Sequence, residues 1–182
     1  MFKFAFLINV PGVDPKNYST VYETNESYNI VAGTDGMETA KEYMKELLEK
    51  DIKVFNLCSD FDDETVEQMR RIAGEGVAIR RAEYNLNELA KLNMLKSYRN
   101  YGLIIKADGT GKSHEVVLRS RECDTRIIFV ENLAEAKKAA RRLVEKRADF
   151  IELCSWFDVL RLDAIVAAID GQIPVGTCAA IR

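Results

Sequence analysis

One histidine, one tryptophan and three prolines occur in 182 residues, and the four cysteines form no C-x-x-C pair. A lone His114, with no carboxylates at ligand spacing around it, gives no basis for a metal site. The spacing of Cys58, Cys123, Cys154 and Cys178 matches neither a zinc finger nor a ribbon. Such thiols fit a reducing compartment, so the expected location is cytoplasmic. Long apolar runs are also missing. The stretch Phe4–Val10 is closed by Pro11 and Gly12, well short of the ~18 apolar residues of a membrane span. No small-residue cleavage site follows it, and it reads better as a buried strand. Strong charge is the last absence. A net charge of −3 argues against nucleic acid or an anionic membrane as the main partner, because both need clustered positive charge.

What is present is an ordinary globular composition, 47% hydrophobic and 30% charged, and a duplication. Asn56-Leu57-Cys58-Ser59-Asp60-Phe61-Asp62 recurs as Glu152-Leu153-Cys154-Ser155-Trp156-Phe157-Asp158, an offset of 96. The same offset, taken without a gap, pairs Leu7-Ile8 with Leu103-Ile104, Lys16 with Lys112 and Val21 with Val117. It also pairs Ala40-Lys41 with Ala136-Lys137, Leu47 with Leu143, and Glu49-Lys50 with Glu145-Lys146. A constant register over so many positions defines two tandem repeats, 1–84 and 97–182, joined by a connector at 85–96. In the connector Leu86, Leu89, Ala90, Leu92 and Leu95 suggest a helix. The first repeat is acidic and the second slightly basic, which favours packing of one on the other.

Each repeat reads as β-β-α-β-α-β. An apolar strand (Phe4–Val10; Tyr101–Lys106) enters a turn (Pro11–Pro15; Ala107–Gly111), followed by a β-rich stretch with alternation (20–23 and 28–32; 115–119 and 125–130). An amphipathic helix comes next. In the second repeat it carries Leu133, Ala136, Ala140, Leu143 and Val144 on one face. A strand (54–58; 150–154), a second helix (63–73; 159–169) and a last strand (77–80; 173–177) complete the unit. Near-continuous apolar strands alternating with helices indicate an α/β protein with largely parallel sheets. The expected assembly is two repeats packed as a pseudo-twofold dimer within one chain.

The candidate chemistry lies at the strand ends. Cys58 and Cys154 hold equivalent places at the carboxyl end of a strand, where open α/β sheets bind ligands and a following helix N-terminus lowers a thiol pKa; the alternative is simple packing. Glu152 shares a strand face with Cys154, and an acid within Phe150-Ile151-Glu152-Leu153 is costly to bury unless paired or poised to act. His114 is open to acid–base work, and its repeat partner Tyr18 to hydrogen bonding. Cys154, Glu152 and His114 form the candidate catalytic set; Cys58, Tyr18, Trp156 and Asp158 are candidate ligand-binding residues. Trp156 either walls a pocket or caps the core. Asp62 and Asp158 also fit helix N-caps. Gly109-Thr110-Gly111-Lys112-Ser113 is not a phosphate loop, because Lys106 stands where glycine is required and a strand-like segment follows. No cofactor is expected.

The order of elements, with Pro11-Gly12 and Asp14-Pro15-Lys16 in the first repeat and Ile151-Glu152-Leu153-Cys154 and Ile173-Pro174-Val175-Gly176 in the second, resembles small bacterial α/β proteins grouped as a domain of unknown function. Leu57, Cys58 and Phe61 match in the first repeat, and Lys112, His114 and Phe157 in the second. The chain looks like two such proteins fused. The resemblance implies glycines after each cysteine, where this chain has Ser59 and Asp60, and Ser155 and Trp156; Asp62 and Asp158 replace a third. The first repeat has lost the histidine and glutamate (Tyr18, Asn56), and the second the proline loop. One composite site surviving from two is therefore expected if the relatives act as dimers. The overall expectation is small-molecule binding at the strand edge near Cys154, with catalysis open. The competing reading is a non-catalytic structural or assembly module; the candidate partners are a small-molecule ligand and further copies of the chain in a homo-oligomer.

Overall fold

The computed structural model describes residues 1–181. The chain divides into two compact units, Met1–Arg81 and a second that begins at Ala82. The first contains β1 (Phe2–Asn9), β2 (Ser19–Glu23), β3 (Ser27–Thr34), α1 (Met37–Glu49), β4 (Val54–Leu57), α2 (Asp63–Ala73) and β5 (Ala78–Arg81). The second opens with α3 (Leu86–Asn93). It continues through β6 (Asn100–Lys106), β7 (Ser113–Arg119), β8 (Asp124–Val130), α4 (Leu133–Glu145), β9 (Phe150–Leu153), α5 (Val159–Ala168) and β10 (Val175–Thr177). None of these helices is long and apolar enough to cross a membrane.

Both sheets have five strands in one topology, β2-β3-β1-β4-β5 and β7-β8-β6-β9-β10. In each, only the edge hairpin is antiparallel, and every other pair is parallel. The central strands are buried and apolar along most of their length, as strands enclosed on both faces must be. Within each unit the two crossovers move the same way across the sheet. Right-handed connections then place both helices on one face, and α1 touches α2 as α4 touches α5. In the second unit a glycine admits α4 against the sheet. A Cβ at Gly102 would stand 3.1 Å from Leu143 of α4.

The helices start where their caps dictate. Asp62 accepts from the Thr65 N–H, Asn132 from Glu135 and Asp158 from Arg161, satisfying amides that a helix leaves unpaired. The strand after Ser113 is real, so Gly109–Ser113 does not open a helix.

The gapless repeat register fails in one element. Leu7 stands opposite Leu57, but Ile104, not Leu103, stands opposite Leu153. β1 therefore matches β6 at an offset of 97, while the other strand pairs keep 96. The turn glycines agree, since Gly12 (φ 77°) and Gly109 (φ 84°) share the left-handed conformation at the same offset of 97. The second repeat is one residue shorter in the loop that follows. In the first unit that loop crosses the end of β3 at Gly33. A Cβ there would lie 2.5 Å from the Tyr18 ring and 3.0 Å from Val13.

The connector helix exists, with Leu86 and Leu89 turned outward. Leu86 is 85% exposed, while Glu88 is buried. Glu88 Oε1 accepts the Val175 N–H at 3.1 Å and its Oε2 pairs with Lys91 at 2.6 Å. Lys91 also donates to the Gly171 carbonyl. Glu83 bridges Thr177 through two backbone hydrogen bonds. The connector thus covers the β10 edge of the second sheet, leaving fewer open strand hydrogen bonds there.

At the other edge Glu115 of β7 is held by Arg142 of α4 through two nitrogens, at 2.6 and 3.0 Å, and by Arg126 of β8 at 3.0 Å. The Arg142 hydrogen bond first, and then the charges of Arg142 and Arg126, hold the carboxyl below its ordinary range. A depressed folded-state pKa contributes stability that is complete above the unfolded value, about 4.3, and is lost as pH falls through the folded value. Denaturant melts from pH 7 to pH 3 should therefore show a shallower acid loss for Glu115→Gln than for the wild type. Parallel curves would mean the cluster contributes nothing to acid sensitivity.

Candidate functional site

In each unit the cysteine after the second central strand is an acceptor. Cys58 Sγ receives the Asn9 N–H at 3.3 Å, and Cys154 Sγ receives the Lys106 N–H at 3.3 Å. The cysteine N–H continues the ladder to Leu7 or Ile104, and its carbonyl accepts from Phe61 or Phe157, both fully buried. The repeated Leu-Cys-Ser-x-Phe segment therefore has a structural cause at both sites. The sulfur ties down the point where the neighbouring strand leaves the sheet, and the phenylalanine seals the core beneath the next helix. Burial pushes the Cys154 thiol pKa up, outweighing the backbone N–H groups that act in the opposite direction. That is the reverse of an activated thiolate.

Glu152 lies at the centre of the second sheet, opposite Leu103 on one side and Gly176 on the other. It is fully buried. Tyr101 Oη donates to Oε1 at 2.7 Å and Tyr84 Oη to Oε2 at 2.8 Å, which offsets the cost of taking a carboxyl out of water. Gly176 makes the second contact possible. A Cβ there would lie 2.7 Å from the Tyr84 ring. Tyr101 stands on the Glu152 face because Leu103, two residues further along β6, pairs with Glu152, a register set only by the backbone pairing. Tyr84 sits in the connector, where no pattern pointed to it.

His114 and Glu152 do not meet. His114 is exposed on the edge strand β7, with its ring 6.2 Å from Phe129. β8 and β6 lie between it and β9, a separation of three strand spacings or roughly 14 Å. Tyr18, its counterpart, is buried against Gly33. Asp158 caps α5 and pairs with Arg161 at 3.0 Å. Trp156 is half-buried at the strand edge. The Arg161 guanidinium lies 4.1 Å from its ring centroid and Lys106 Nζ lies 5.6 Å away. Lys106 and Arg161 are the residues that sequence reasoning missed. They belong to different elements, and only the crossing of β6 and α5 at this edge brings them to one ring.

These features define a class: a mixed α/β protein built from two copies of one domain, each with a cysteine-anchored pair of parallel strands. The model of the family of unknown function DUF6506 matches the chain twice, over residues 2–97 and 99–180. The chain belongs to that family and carries its domain as two tandem copies. No curated protein shows significant similarity to the chain.

Two measurements check the site. Gly176→Ala should cost roughly 1–3 kcal/mol by overpacking against Tyr84. Adding Tyr84→Ala should recover part of that loss, so the double mutant is more stable than additivity allows; strict additivity would mean the ring does not rest on Gly176. Thiol labelling of the native protein at neutral pH should modify half-buried Cys123 before buried Cys58, Cys154 and Cys178. Faster modification of Cys154 would show an accessible, activated thiol.

Proposed function

We propose that the second unit binds a small planar anion at the carboxyl edge of its sheet, beside Cys154, and that it does so without catalysing a reaction. The observation that carries this reading is the Trp156 ring flanked by Lys106 and Arg161, at the mouth between β6 and β9. The connections of these two adjacent strands leave in opposite directions, one toward β7 and the other toward β10. Divergence of this kind opens the crevice where α/β sheets take their ligands. An indole beside a guanidinium and an ammonium offers stacking surface and positive charge together. Asp108 and Asp158 pair with the two cations, and an incoming carboxylate would compete for them.

Binding without chemistry follows from the separation of the candidate catalytic residues. Glu152 is engaged by two tyrosines, the Cys154 thiol is a buried acceptor, and His114 lies on the far edge strand. The first unit lacks the same mouth. Its counterparts of Lys106, Trp156 and Arg161 are Asn9, Asp60 and Thr65, and Asn9 bonds Asp60 directly. The proposed setting is the cytoplasm, where cysteines that form no disulfide stay reduced.

Trp156 is the only tryptophan, so its fluorescence reports this edge alone. Titration with aromatic carboxylates such as benzoate should give a saturable change in the wild type that Lys106→Ala or Arg161→Ala weakens about tenfold or more, the loss expected for one charge-assisted hydrogen bond. A flat titration across a panel of aromatic carboxylates would leave the structural-module reading as the better one.

A further inference from the structure

A second region of the second unit, away from the carboxyl edge, also gathers charge around a hollow. A cavity of about 160 Å³ opens at the other end of the sheet, between the first residues of β6 and β8, the end of β7 and the segment that leaves α4. Arg119, Arg126 and Lys146 line it, against one carboxylate, Asp124; Asn100 and Tyr101 form part of its floor. The volume is below that of a site for a drug-sized molecule. Three cations facing one acid in a small cleft focus positive potential there.

Two of the cations are held in place before any ligand arrives. Arg126 has a side chain only 23% exposed and is fixed through Nη1 to Glu115 at 3.0 Å, and Glu115 is in turn gripped by Arg142. Arg119 leans on Asp124 at 3.2 Å. Each of these contacts uses one of the five N–H donors of a guanidinium, so a planar fork is oriented at low entropic cost. Lys146 adds a movable point charge from the end of α4. The C-terminus of a helix disfavours an anion, but here the last carbonyls are occupied. Leu143 O accepts from Ala148 N–H, Arg142 O from Lys146 N–H and Val144 O from Arg147 N–H.

The fold itself does not call for these charges. The first unit forms the same corner with Glu23, Tyr28 and Ile30 where the second has Arg119, Asp124 and Arg126, and only Lys50 matches Lys146. A cation cluster present in one copy and absent from the other is not a requirement of the shared topology. We infer that this cavity is a binding site for a small oxyanion, a molecule carrying a phosphate or carboxylate group, held by Arg119, Arg126 and Lys146. The site is separate from the Trp156 edge, and neither depends on the other.

The test uses the full chain and two probes, inorganic phosphate and malonate, titrated at constant ionic strength with chloride as balance. Calorimetry and the melting midpoint should both show saturable binding by at least one probe. Arg119→Glu, which copies the first repeat, and Lys146→Ala should each weaken it tenfold or more. Both positions are exposed, so folding is not at risk, and Lys50→Ala should bind as the wild type does. Preference between the probes distinguishes phosphate from carboxylate recognition. The inference is overturned if neither probe saturates, if chloride alone reproduces the effect, if both variants titrate normally, or if Lys50→Ala is as damaging as Lys146→Ala. Trp156 fluorescence followed in the same titrations separates failure here from failure at the other edge.

Discussion

Where the two central parallel strands of each unit part, a backbone N–H is left without a strand partner, and a cysteine sulfur accepts it: Asn9 to Cys58, Lys106 to Cys154. A buried amide with no acceptor is costly. A thiol is small and apolar enough to sit in the core while offering a weak lone pair. This contact sets how far the strands run together and where the chain turns into the next helix. It therefore sets which side chains stand at the mouth above it. In the second unit those are Lys106 and Trp156; in the first they are Asn9 and Asp60. One scaffold contact is kept in both copies, and the chemistry displayed above it differs.

Glu152 illustrates how a copy departs from its twin without leaving the fold. Its counterpart Asn56 is also fully buried. A carboxyl in the same place needs donors, and the second unit supplies them from two sources, Tyr101 on the neighbouring strand and Tyr84 from the connector. The connector is then bound into the second unit by a series of contacts: Glu83 on Thr177, Tyr84 on Glu152, Glu88 on Val175 and Lys91 on Gly171. Covering the β10 edge and satisfying a buried acid are accomplished by one short segment. Gly176 is the residue that lets it lie close enough.

Much of this architecture was legible beforehand, for reasons that differ by element. The strands and helices appeared through periodicity and through the duplication, because both survive substitution at individual positions. The α2 and α5 starts were legible from Asp62 and Asp158, since an acid before an amphipathic run has one common use. The slip of one residue between β1 and β6 was not legible. Leu7-Ile8 and Leu103-Ile104 match as letters, and only the pairing of Leu7 with Leu57 and of Ile104 with Leu153 reveals the shorter loop. Nor was the orientation of α3. Its leucines suggested an apolar face, but the buried residue is Glu88, because an amide of β10 and Lys91 give its carboxylate partners.

The amino-acid sequence by itself determined the duplication, the order of elements and the predominantly parallel character of the sheets, because these follow from local pattern and from short-range steric rules. It also marked Glu152 as an acid that had to be accounted for. What the tertiary structure alone decided is which groups share a site. It separated His114 from Glu152 by two intervening strands, turned Cys154 into an acceptor, brought two cations to the Trp156 ring, and collected Arg119, Arg126 and Lys146 around one cavity. The physical reason is that strand order and register join residues far apart in the chain. Two five-stranded sheets with the same local pattern permit many orders, and only long-range backbone pairing selects one.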